Sequence, residues 1–65
     1  MNETWYTHGL RTFKEYCFKY AGPAEAAEIL TRYIYMQRND PDPNEQEFCR
    51  GLRDAIEAAH VVPAT

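Results

Sequence analysis

Four side chains able to ligate zinc are spread along the sequence: His8, Cys17, Cys49 and His60. Structural zinc sites usually draw their ligands in local pairs, with only a few residues between the two members. None of these four has a close neighbour of that kind, so we expect no metal and no cofactor. A Cys17–Cys49 disulfide is conceivable between packed helices, but a reducing cytoplasm would keep both thiols free.

Catalysis and calcium binding are the next chemical possibilities. A cysteine nucleophile would need a base within hydrogen-bond reach and a pocket that excludes water, and a chain of 65 residues has little room for one. We therefore expect that the protein is not an enzyme. Asp40, Asp42, Glu45 and Glu47 lie close together, but two prolines interrupt them and the glycine of an EF-hand loop is absent. These carboxylates predict a solvated, well-capped turn.

The N-terminal part of the chain mixes cations with aromatic rings, and its cations are Arg11, Lys14 and Lys19. Such a mixture can bind single-stranded nucleic acid by stacking bases over a basic groove. Three cations are few for that purpose, and the chain has a net charge of −3. We expect the rings to serve a core and an interface. A nucleic-acid-associated regulator that acts as a dimer is the alternative.

The element that carries those rings is predicted to be a helix over about residues 7–20. Thr4 and Thr7 are both suitable N-caps, and Gly9 obscures where the helix begins. Gly22 and Pro23 end it, because glycine suits a C-terminal cap and proline cannot continue the helix. The apolar stripe consists of Tyr6, Leu10, Phe13, Cys17 and Tyr20.

Two further helices, over about 23–38 and 43–60, are joined by residues 39–42 and predict an αα-hairpin. Asp42 and Glu45 have the spacing of a capping box, and Gly51 is a mild weakness in the last helix. No stretch alternates with the period of a strand. The sequence therefore predicts an all-α domain over 1–65, with three helices built on this hairpin.

The middle helix is apolar on too many sides for one partner. Its stripe is Ala26, Ala27, Leu30, Tyr33 and Ile34, and Ile29 and Met36 widen it. The third helix offers a single face, made of Phe48, Leu52, Ala55, Ile56 and Ala59. Either the first helix or a second copy of the chain must cover the remaining apolar surface, and the sequence leaves both open.

The chain has more large rings than a small core can enclose, since aromatic residues make up 14% of only 65 residues. A domain of this size usually needs a disulfide, a metal or a second subunit for stability. We expect a homodimer, with surplus rings at an interface. The candidate interface residues are Trp5, Tyr6, Phe13, Tyr16, Phe18, Tyr20, Tyr33, Tyr35 and Met36.

No apolar run approaches the length of a membrane span, and no signal-peptide pattern occurs, so we expect no membrane association and a cytoplasmic location. The acidic balance argues against nucleic acid as the main partner. The expected partner is another protein.

The capped hairpin around 39–43 and the aromatic first helix give the chain a style that resembles small helical accessory proteins from the early regions of temperate bacteriophages. That resemblance carries no family motif and assigns no functional residue. It implies a protein of the host cytoplasm that binds a host or phage protein and alters regulation in the infected cell. The function expected is thus a helical protein–protein interaction module.

Overall fold

The computed structural model describes residues 3–20 and 22–59, which form three α-helices and no strand. Helix α1 covers Trp5–Lys19, α2 covers Pro23–Met36 and α3 covers Pro43–Ala58. The predicted all-α class and the three helices are confirmed. None of the described helices is both long and apolar enough to cross a membrane.

The helix boundaries differ from the sequence-based ones by a few residues. Thr4, rather than Thr7, caps α1, because its hydroxyl oxygen accepts from the Thr7 N–H at 3.0 Å. Helix α2 ends at Met36 instead of residue 38, so the connector to α3 covers residues 37–42. The predicted end of the third helix at His60 lies outside the described residues.

The junction between α1 and α2 depends on one glycine. Gly22 has a φ of 111°, a conformation that residues with a Cβ rarely adopt, and it precedes Pro23 at the first position of α2. Gly22 and Pro23 therefore start α2, whereas α1 already ends at Lys19 with Tyr20 as its C-cap, so the predicted role of Gly22 as the C-terminal cap of α1 is wrong.

The start of α3 is only partly the capping box that the sequence predicts. The Asp42 carboxylate accepts from the Asn44 N–H at 2.9 Å and caps the helix. The Asp42 N–H, however, donates to Asp40 Oδ1 at 2.8 Å. Glu45 accepts instead from the Tyr33 hydroxyl. Glu45, which the sequence predicts as part of the capping box, thus links α3 to α2 instead.

The closest approach between helices occurs where α1 crosses α3, at Gly9 and Gly51. A Cβ built on Gly9 would lie 2.9 Å from the Leu52 nitrogen and 3.1 Å from the Gly51 Cα, and it would overlap the Phe48 carbonyl oxygen. A Cβ on Gly51 would overlap the Tyr6 carbonyl oxygen. Both glycines therefore let two backbones touch. From the sequence alone, the two glycines indicate only low helix propensity.

The core lies where the three helices meet and consists of Phe13, Ala26, Ala27, Leu30, Leu52 and Ile56. All six belong to the stripes predicted from helical spacing. The most extensive helix contact is between α1 and α3, whereas α2 touches each of the others over a smaller area. The α2–α3 hairpin is therefore not confirmed as the organising unit, because α1 packs mainly on α3 and α2 contacts both helices to a smaller extent.

Candidate interaction surface

One side of α2 points away from the other two helices, and we call it the outer face of α2: Thr31, Arg32, Tyr35 and Met36. The side chains of Tyr35 and Met36 are 65% and 76% exposed. The four residues border a shallow, solvent-open groove of about 430 Å³. The Arg32 guanidinium lies 2.9 Å from the Glu28 carboxylate along the same helix. This face therefore offers apolar surface beside a charge that is already paired.

The Tyr35 ring is held in place from the end of its own helix. The Arg38 guanidinium carbon lies 3.8 Å from the ring centroid, which is the geometry of a cation–π contact. The same side chain donates from Nη1 to the Tyr35 carbonyl oxygen at 3.0 Å, so it also satisfies an acceptor in the last turn of α2. Arg38 therefore fixes an aromatic ring that is open to solvent.

Next to this ring, between the end of α2 and α3, lies a cleft of about 220 Å³. We call it the arginine cleft, and its lining consists of Ile34, Gln37, Arg38, Gln46, Cys49, Arg50 and Arg53. The lining includes three guanidinium groups and no carboxylate. Arg50 Nη1 lies 3.7 Å from Glu47 Oε1, between two exposed side chains. Among residues 3–20 and 22–59, no other carboxylate lies within 4.0 Å of these three guanidiniums.

The wall of the cleft is connected to the protein interior by a shared carboxylate. Glu45 Oε1 accepts from the Cys49 thiol at 3.8 Å and from the Tyr33 hydroxyl. Burial, followed by the charge of Glu45, raises the pKa of the Cys49 thiol. Burial and then the hydrogen bond to Glu45 raise the pKa of Tyr33 as well. Both groups therefore stay protonated at neutral pH and add no negative charge to the cleft.

The candidate interface rings of α1 do not share one face. Phe13 is buried in the core, whereas Phe18 is 92% exposed and Trp5 is 50% exposed. Tyr16 and Tyr20 are partly buried and pack on each other, with ring centroids 5.2 Å apart. The exposed rings, Trp5 and Phe18, lie near opposite ends of the helix.

Two further tyrosines among the candidates have hydroxyls that are already bound. The Tyr6 hydroxyl donates to Asp54 Oδ2 at 2.6 Å, and this hydrogen bond is the main reason that the pKa of Tyr6 is raised. The Tyr33 hydroxyl is bound by Glu45. Both tyrosines tie α3 to a neighbouring helix. Of the nine candidates, only Tyr35 and Met36 are exposed side by side.

The cations and zinc-type ligands singled out in the sequence are also dispersed. Arg11 Nη2 lies 2.7 Å from Glu3 Oε2, and the Lys19 ammonium lies 5.8 Å from the Tyr20 ring centroid. Cys17 and Cys49 are free thiols. His60 lies outside the part of the chain that the structure describes. Within that part, no three His, Cys, Asp or Glu side chains are grouped closely enough to hold a metal.

The arginine cleft is the feature that reasoning from the sequence missed. Arg50 and Arg53 are three residues apart and therefore share a side of α3, which was a readable signal. The spacing of Arg50 from Glu47 and of Arg53 from Glu57 predicts instead two weak ion pairs on an exposed helix face. Arg38 joins them only because α2 and α3 bring their facing ends together, and no local pattern shows that.

Comparison of the chain with protein-family models, with curated proteins and with solved structures finds no match. Its function is therefore inferred from the surfaces described above.

Proposed function

We propose that this chain is a small helical protein–protein interaction module that self-associates through the outer face of α2 and regulates another protein by occupying it. The observation that carries the proposal is the pair Tyr35 and Met36, two large apolar side chains that are adjacent and exposed on one helix. Single exposed apolar residues are ordinary on protein surfaces, but adjacent ones that border an apolar groove are typical of interfaces.

A second copy of the chain is the occupant that we propose for this face. Among the described residues the core contains six buried apolar side chains, and two of them are alanines. A core of this size provides little stability, and small scaffolds often gain the remainder by association. A two-fold axis would bring the outer face of one copy against the same face of the other, and the charge of Arg32 on this face is already paired with Glu28.

The chemistry of the two residues supports an interface as well. Tyrosine contributes a large ring with few rotatable bonds, and the contact with Arg38 already restricts it, so little conformational entropy is lost on binding. Methionine is flexible and adapts to an irregular neighbouring surface. Together they form one fixed and one adaptable contact.

The proposal keeps the kind of role that the resemblance to phage accessory proteins implies, namely binding a host or phage protein and altering its regulation. We also place the module in the cytoplasm. Its two free thiols fit a reducing compartment.

Sedimentation velocity across the micromolar range tests self-association. We expect the wild type to change from monomer to dimer with concentration, and the double variant Tyr35→Ser, Met36→Ser to remain monomeric. Phe18→Ser is the control, because it removes an apolar side chain that is even more exposed from a different helix. A wild type that stays monomeric throughout, or a loss of the dimer in the Phe18 variant alone, would contradict the proposal.

A further inference from the structure

We infer that the arginine cleft is a second binding site, separate from the outer face of α2, and that it accepts carboxylates from an acidic segment of the partner protein. This inference rests on the proposed interaction function and specifies the chemistry of the partner. The cleft is concave, it lies between two helices, and it is lined by three guanidiniums.

The charge distribution is the first argument. The chain has seven lysines and arginines against ten acids, yet three of the seven line this one cleft. No carboxylate is part of the lining. A guanidinium presents donors in a planar fork that matches the two oxygens of a carboxylate. The cleft therefore brings three guanidiniums together on an acidic protein, with Glu45 behind its wall and Glu47 beside Arg50.

The donors of the cleft are largely uncommitted, which is the second argument. Arg38 uses one nitrogen for the Tyr35 carbonyl, and this bond and the ring together hold its guanidinium in place. Arg50 has one exposed carboxylate neighbour at 3.7 Å, and such surface pairs contribute little. Arg53 has no carboxylate neighbour within 4.0 Å among the described residues. An incoming carboxylate would meet free donors rather than displace strong internal pairs.

The surroundings of the cleft favour a short acidic segment over a nucleic-acid strand. Glu47 lies next to Arg50, and Gln46 donates to the Asp40 carbonyl oxygen at 2.5 Å, which brings the acidic connector close to the rim. A strand with a phosphate at every nucleotide would bring further negative charge against these acids, and it would find only three cations to neutralise it. A segment with one or two carboxylates needs only the cleft itself.

The test is a titration of the whole chain at low salt, followed by two-dimensional proton–nitrogen NMR. The probe is a short synthetic peptide that alternates glutamate with serine, and its matched control carries glutamine in place of glutamate. We expect shifts that saturate at the amides of Gln37, Gln46 and Arg50 and at the arginine side-chain N–H groups. The double variant Arg50→Gln, Arg53→Gln should bind the peptide at least about ten-fold more weakly, because it loses two charged donors.

Arg11→Gln is the control variant, since that arginine is paired with Glu3 and does not line the cleft. It should bind like the wild type. Three results would each overturn the inference: equal shifts with the glutamine peptide, unchanged affinity in the double arginine variant, or tighter binding of a short single-stranded oligonucleotide through the same arginines.

The same samples separate this inference from the proposed self-association. Sedimentation of the double arginine variant should still show the dimer, because the outer face of α2 is intact. The single variant Met36→Ser, which weakens the outer face of α2 but keeps the contact between Tyr35 and Arg38, should still bind the acidic peptide. If the wild type forms the dimer but does not bind the peptide, the inference about the arginine cleft has failed. If it binds the peptide but stays monomeric, the proposed self-association has failed.

Discussion

The crossing of α1 with α3 and the outer face of α2 differ in how closely they are packed. At the crossing, Gly9 and Gly51 have no side chains, and the backbones themselves are in contact. On the outer face of α2, Tyr35 and Met36 have large side chains that are mostly exposed, and Arg38 contacts the Tyr35 ring. One region is filled completely by internal contacts, and the other has apolar surface that a second molecule could cover.

This difference indicates which changes should affect folding and which should affect association. A close-packed contact cannot accept an additional atom without moving a helix, because protein interiors are packed as densely as organic crystals. An exposed side chain can be removed with little effect on the free energy of unfolding. Substitutions in the two regions should therefore have separable effects.

The largest effect is expected for Gly51→Ala, at the crossing. Alanine is the better helix former by about 1 kcal/mol, so propensity alone would predict a gain in stability. Its Cβ would overlap the Tyr6 carbonyl oxygen and would lie 3.1 Å from the Gly9 Cα, so the helices must separate. We expect a loss of about 3 kcal/mol or more in the free energy of unfolding, measured by urea denaturation. For a domain of this size that is a large part of the total.

The control for this prediction is an exposed position on the same helix. Glu47→Ala and Glu47→Gly should differ by about 1 kcal/mol in favour of alanine, which is the ordinary propensity effect within a helix. If Gly51→Ala also stabilises the protein, the crossing is not as close as the structure indicates. Gly9→Ala should be destabilising for the same reason as Gly51→Ala.

An intermediate effect is expected for Tyr33→Phe, on the inner side of α2. The variant loses the hydrogen bond to Glu45, which is worth about 1 kcal/mol at neutral pH. Because the folded protein holds the pKa of Tyr33 above the value of about 10 for an unfolded chain, it favours the protonated hydroxyl. That stabilisation is present below pH about 10 and is lost as the pH rises further toward the folded pKa.

Urea denaturation near pH 8 and again near pH 10.5 measures this effect. The wild type should lose more stability over that interval than Tyr33→Phe does, because other groups that titrate there are common to both proteins. Glu45→Gln removes the charge from the acceptor, so this variant should also lose less stability between pH 8 and pH 10.5 than the wild type does. Equal losses in wild type and Tyr33→Phe would show that the hydroxyl does not bind Glu45 in solution.

The sequence was sufficient for the helices and the core because both depend on local spacing. Phe13, Leu30 and Leu52 are apolar at helical intervals, and Asp42 and Gly22 mark helix starts by their own conformational preferences. The helix crossing was not readable in that way. A glycine within a helix lowers helix propensity whether or not another backbone touches it. Local rules therefore predict only a loss of helix stability at Gly9 and Gly51, and not the helix contact that requires them.

The candidate site likewise has one part that local spacing predicts and one part that depends on how the helices pack. The exposure of Tyr35 follows from its position on α2, opposite the apolar stripe, and spacing alone predicts it. The arginine cleft depends on the end of α2 lying against α3, and on Arg50 being left with only one distant acid. The spacing along α3 predicts a weak pair between Arg53 and Glu57 on an exposed face. The described structure does not bring those two groups within 4.0 Å.

The smallest effect on stability is expected for Tyr35→Ser, two residues from Tyr33. Serine and tyrosine have similar helix propensities, and the ring is 65% exposed, so only the contact with Arg38 is lost. An exposed cation–π contact is worth about 0.5–1 kcal/mol, which is the upper limit that we expect for this variant. The measurement must be made at a concentration where the protein is monomeric, because association would add to the apparent stability.

Tyr33→Ser provides the comparison, since the same substitution there removes a ring that packs against the core and a bond to Glu45. A larger loss for Tyr35→Ser than for Tyr33→Ser would mean that the outer face of α2 is packed against the chain itself, and the contrast between the two regions would fail.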